Sequence, residues 1–114
     1  MGDLSEHFSR REFDCHDGQH ASPDPALISA LERLRSIVGR PCYIVSGYRD
    51  PTYNKAVGGA PHSQHIHNRA ADLRPGYATE RQAEAAGFTG IGTCRGWAVH
   101  VDVRVHGRVI FGDC

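Results

Sequence analysis

The sequence predicts an α+β domain, a small and mainly antiparallel sheet with helices packed against it. Residues 22–41 carry the spacing and the caps of a core-packing helix. The end of the chain, from residue 88 onward, is a succession of short segments rich in β-formers. The order along the chain is helix, strand, loop, strand, helix and then a run of strands, a mixture that favours α+β.

Residues 1–21 are polar, with Phe8 and Phe13 spaced to anchor a loop on the body. In "SPDPALISALERLRSIVGRP", Ser22 or Asp24 can cap a helix and Pro25 suits its first position. Leu27, Leu31, Leu34 and Val38 recur at helical spacing, and Gly39 and Pro41 end the element. "CYIVSGY" reads as a strand, and the stretch after Pro51 as one or two helical turns broken by Gly58 and Gly59. Residues 62–69 read as loop and "AADLR" as a strand. "TERQAEAAG" reads as a short helix capped by Thr79 and stopped by Gly87. "FTGIGT" and "GWAVHVDVRVHG" form a hairpin pair, and "RVIF" adds a last strand.

With 114 residues, no repeats and no linker, the chain fits a single domain, 1–114. Hydrophobic residues make up 39% and charged residues 23%, which argues against disorder. Thirteen basic residues balance thirteen acidic ones, so nothing pulls the protein toward nucleic acid. No stretch approaches the ~18 apolar residues of a membrane span, and the N-terminus has no apolar signal-peptide run. If the target lies outside the cytoplasm, something else is expected to export the chain or lyse the cell. None of the four cysteines forms a C-x-x-C pair, and three disulfide pairings are open.

Eight histidines are many for this length, and histidine is the commonest metal ligand. In "WAVHVDVRVHG", alternation places His100, Asp102 and Arg104 on one strand face and Val99, Val101, Val103 and Val105 on the other, which should bury. An exposed strand with an Asp102–Arg104 salt bridge would show the same pattern. In "HSQHIHNRAADLRP", His65 and Asp72 are seven apart, and Asp72 sits among Ala70, Ala71 and Leu73. A carboxylate in so apolar a setting needs a cation, a metal or good donors. Two neutral imidazoles and a carboxylate make a catalytic zinc set with a fourth position open to water, and His65, Asp72 and His100 would supply it. His67, two residues from His65, is a rival ligand. Arg49, between a strand and a turn in "SGYRDP", is placed to hold a substrate carboxylate or an oxyanion.

"SGYRDPTYNKAVGGAPHSQHIHNRAAD" followed by "GIGTCRGWAVHVDVR" resembles the zinc D-Ala-D-Ala carboxypeptidase family, in its short branch of murein peptidases from phages and bacteria. Ser63, His65, Ala70 and Asp72 match the motif Ser-x-His-x-x-Gly-x-Ala-x-Asp in register, and "LSEHFSRREFDCHDG" looks like the branch's N-terminal segment. The resemblance implies a hedgehog/D-Ala-D-Ala peptidase-like fold and a zinc ion on His65, Asp72 and His100. It implies Arg49 on the substrate or the oxyanion. Ser63, His67 and Trp97 are expected around the substrate. The implied reaction is hydrolysis of a peptide bond in peptidoglycan stem or cross-link peptides.

The chain departs from the family at two positions. Asn68 stands where the motif has glycine; if that position needs φ > 0, asparagine is the least costly substitute. Trp97 stands three residues before His100, where many relatives carry a Glu, Asp or His as general base. Asp102 is then the best candidate base within the motif, unless it only orients a neighbour. His62 and His67 are the fallbacks. Without a base, the alternative is a zinc-stabilised module that holds cell-wall peptides and does not cut them.

Overall fold

The computed structural model describes residues 2–114. Helix α1 spans Pro25–Val38. Its cap is Asp24, whose carboxylate accepts from the Ala26 N–H at 2.9 Å. It stops at Gly39, whose φ of 79° is a left-handed conformation that glycine adopts without strain. Leu27, Ile28, Ala30, Leu31 and Leu34 are buried along one face.

The remaining elements are β1 (Ile44–Ser46), α2 (Pro51–Ala56), β2 (Ala70–Leu73), α3 (Glu80–Ala85), β3 (Gly90–Cys94), β4 (Trp97–Asp102) and β5 (Val109–Gly112). Helix α3 begins in a capping box between Thr79 and Gln82. The sheet order is β1-β2-β4-β3-β5. Every pairing is antiparallel except β3 with β5, which is parallel. The expected α+β fold with a mainly antiparallel sheet is what forms.

The first strand is shorter than "CYIVSGY" suggested. After Ser46 the backbone leaves the sheet: the Tyr48 N–H donates to the Phe13 carbonyl and the Arg49 N–H to the His65 carbonyl. Those two bonds draw the N-terminal segment and the histidine loop onto the same end of the sheet. Phe13 closes a single 3₁₀ turn at Arg10–Phe13. Phe8 and Phe13 are fully buried against the core that α1, Ala71, Leu73, Phe88, Ile91 and Val101 build.

Strand β4 departs from simple alternation. Gly92 pairs with His100 but Thr93 pairs with Ala98, so β4 carries one extra residue at Val99. Ala98 and Val101 can therefore both reach the core although they are three apart. The expected valine face is corrected: Val101 is fully buried, Val99 and Val103 only partly, and Val105 is 66% exposed. The strand ends at Asp102, and Val105 lies in the loop beyond it. His100 and Asp102 keep a common face, the one away from the hydrophobic core.

Candidate metal centre

Three elements bring the site together. His65 comes from the loop before β2, Asp72 from β2 and His100 from β4, where Asp72 and His100 are direct cross-strand partners. Nε2 of His65 lies 3.2 Å from Oδ1 of Asp72, and Nδ1 of His100 lies 3.3 Å from the same oxygen. One donor atom from each of the three residues lies within 4.8 Å of the other two. Donors about 2.05 Å from a tetrahedral zinc stand about 3.3 Å apart, so both distances to Asp72 suit that ion.

Hydrogen bonding on the far side of each ring decides which nitrogen faces inward. Nδ1 of His65 is 2.6 Å from the Gly47 carbonyl oxygen. A carbonyl only accepts, so Nδ1 carries the hydrogen and a neutral His65 turns its Nε2 lone pair toward Asp72. Nε2 of His100 donates to Oδ2 of Asp102 at 2.8 Å, which leaves Nδ1 facing Asp72. Two imidazole lone pairs and a carboxylate oxygen thus converge on one point. Such a point requires a cation, whether a proton or a metal.

The electrostatics agree. Burial by itself would lower the His100 pKa, but the carboxylates of Asp102 and Asp72 outweigh it and raise it to about 9. Burial by itself would raise Asp72, but hydrogen bonds from His100 and His65 hold it well below the usual carboxylate range.

Asp102 is fully buried beneath His100. Nε and Nη2 of Arg104 donate to it at 2.9 and 2.6 Å, and the Arg104 backbone N–H at 3.1 Å. Burial would raise its pKa, but the bonds from Arg104 and His100 hold it well below the usual carboxylate range. Room for this buried carboxylate comes from Gly90, its cross-strand partner; a β-carbon there would overlap it.

The trio forms part of the wall of a cleft of about 430 Å³. Arg49, His62, Ser63, His65, Asp72, His100 and Arg104 all line it, together with Phe111 and Asp113. Arg49 donates to Oδ2 of Asp72 at 3.2 Å, so it braces the carboxylate while facing the cleft. Ser63 accepts from the His65 N–H at 3.2 Å and closes the turn that presents that ring. His67 is exposed and Trp97 is 37% exposed, and neither lines the cleft. Asp102 does not reach it either. Asn68 has φ 60°, a left-handed conformation that asparagine adopts at little cost, and its side-chain oxygen accepts from the Ser22 N–H.

Two lining residues had no signal in the sequence. Phe111 and Asp113 enter the cleft because β5 adds in parallel beside β3, and a disulfide joins Cys94 at the end of β3 to Cys114. Cys15 and Cys42 are free and buried.

A cleft with two imidazoles and a carboxylate at one point, and an arginine beside them, belongs to the metallopeptidase class. The Peptidase M15 family profile matches residues 5–102, and the chain belongs to that family. Its peptidases are zinc-dependent, and His65, Asp72 and His100 are the group here that could hold the ion. No curated protein matches the chain.

Proposed function

We propose that the protein is a zinc-dependent hydrolase of peptide bonds in peptidoglycan stem or cross-link peptides, of the D,D-carboxypeptidase or endopeptidase type. The observation that carries this reading is the convergence of His65 Nε2, Asp72 Oδ1 and His100 Nδ1 at zinc spacing in the wall of an open cleft.

Zinc held by these three would polarise the scissile carbonyl and lower the pKa of a water beside it. The chain's own residues do the rest. The Gly47 carbonyl and Asp102 lock the two imidazoles in the ligating tautomer. Arg49 neutralises Asp72 and offers its guanidinium edge to a substrate carboxylate or to negative charge developing on the carbonyl oxygen. Asp102 acts as the positioning carboxylate of His100, since its oxygens are taken by Arg104 and His100 and it has no face on the cleft. His67 and Trp97, outside the cleft, are not retained as substrate contacts. Ser63 is retained at the rim.

A peptidase fold that holds cell-wall peptides without cutting is the reading that Trp97, in place of an acid, would favour. Mass spectrometry of defined muropeptides incubated with the zinc-loaded protein separates the two. New termini at one stem or cross-link bond are expected, and unchanged muropeptides would leave the binding module.

Among the described residues no helix is long and apolar enough to cross a membrane. We propose action on the cell wall after lysis or after delivery by a larger phage or secretion assembly. Muralytic activity added from outside to permeabilised cells, and absent against intact ones, would fit that route.

A further inference from the structure

Peptide hydrolysis needs a proton acceptor for the attacking water. Of the residues lining the cleft, two are acids, Asp72 and Asp113. Asp72 is committed to the metal trio. Among the described residues, the side chain of Asp113 makes no ion pair or hydrogen bond and is exposed.

Its position is built. The Asp113 backbone N–H donates to the Thr93 carbonyl at 2.8 Å, continuing the parallel β3–β5 pairing past Gly112. The next residue, Cys114, is tied to Cys94 by the disulfide. The chain is thus held on both sides of Asp113. Gly92, the cross-strand partner of His100, lies beneath it. A β-carbon at Gly92 would stand 2.9 Å from the His100 Cβ and 3.0 Å from the Asp113 Cβ. Its nearest neighbour would be Cε2 of Phe111 at 2.8 Å, so glycine here lets Phe111, His100 and Asp113 close on one another.

We propose that Asp113 is the general base of this site. Resting on the peptidase reading above, the step is as follows. The carboxylate takes one proton from water as the water oxygen bonds to the scissile carbonyl carbon. The same proton then passes to the amine nitrogen as the C–N bond breaks. An acid at the end of an edge strand thereby does the work that the position of Trp97 cannot.

The test compares wild type, D113N, D113A and a C94S/C114S double variant, each as full chain loaded with zinc. Three readouts are taken: zinc content, muropeptide turnover, and affinity for acetohydroxamate, a metal-directed probe whose N–H donates to a neighbouring carboxylate. D113N and D113A should keep one zinc per chain and lose kcat by about 10²–10⁴-fold with KM unchanged. D113A should bind acetohydroxamate about tenfold more weakly than wild type, the loss of one charge-assisted hydrogen bond. The double variant should keep its zinc and lose turnover in part. Full turnover in D113N, or a rise in KM with kcat intact, overturns the role. So does hydroxamate affinity that D113A leaves unchanged. If the wild type neither cuts muropeptides nor binds the hydroxamate, the peptidase reading falls and this inference with it.

Discussion

His100 gives the metal-free protein a pH dependence whose size follows from its surroundings. Its ring is 9% exposed, with Asp102 at 2.8 Å on one nitrogen and Asp72 at 3.3 Å on the other. These carboxylates raise its pKa from 6.5 to about 9. A group whose folded pKa is raised contributes its full stability below the unfolded pKa and loses it as pH climbs through the folded one. The separation between 6.5 and about 9 is worth about 3 kcal/mol. Against the roughly 5–15 kcal/mol of an ordinary domain, that is a large share. The window closes near pH 9, because burial raises the Cys42 thiol to about 11 and adds a loss of its own there. The assay is urea unfolding of chelator-treated protein at steps from pH 6 to 9, with the disulfide intact. The midpoint should fall steadily across that range. With zinc bound, the proton on His100 is displaced, and zinc affinity should instead increase with pH as proton competition fades. A metal-free midpoint that is flat between pH 6.5 and 9 would refute the argument that two carboxylates hold a charged imidazole.

Three further outcomes test other parts of the structure. Asp102→Asn should weaken zinc binding by about 10–100-fold, read by competition with a chromogenic chelator, because the positioning partner of His100 is altered while the ligands stay. Gly90→Ala places a methyl against the Asp102 carboxylate and should cost about 1–3 kcal/mol in urea unfolding. Unchanged stability would mean that the buried carboxylate can move aside. Leu31→Ala, at a fully buried position of α1, should cost about 2–5 kcal/mol and leave the zinc stoichiometry at one.

Where local chemistry decides an element, the sequence shows it. The ends of α1 follow from Asp24, Pro25 and Gly39, and α3 from Thr79 and Gly87. That Asp72 and His100 would meet was legible, because Asp72 is a carboxylate in an apolar strand and β4 alternates through His100 and Asp102, while His65 rather than His67 followed from the family motif. What pattern could not show is what depends on pairing. The extra residue at Val99 is visible only once β4 lies against β3, and it undoes the expected valine face. The Asp102–Arg104 salt bridge was expected of an exposed strand; nothing in the sequence says that Asp102 is buried or that Gly90 opens a place for it. His67 and Trp97 lie close in sequence to ligands and still face away from the cleft. Asp113 is 13 residues beyond His100 and reaches its side through a parallel pairing and a disulfide that the sequence does not choose.

The family match stops at Asp102, and β5, the disulfide partner Cys114 and Asp113 all come after it. The core cluster and its packed fringe also end by Val103. On the proposal above, the metal group lies within the matched stretch and the proton acceptor beyond it. The two segments stay in contact, because the Phe111 ring of β5 packs 5.3 Å from that of His100, so a change in the edge reaches a ligand.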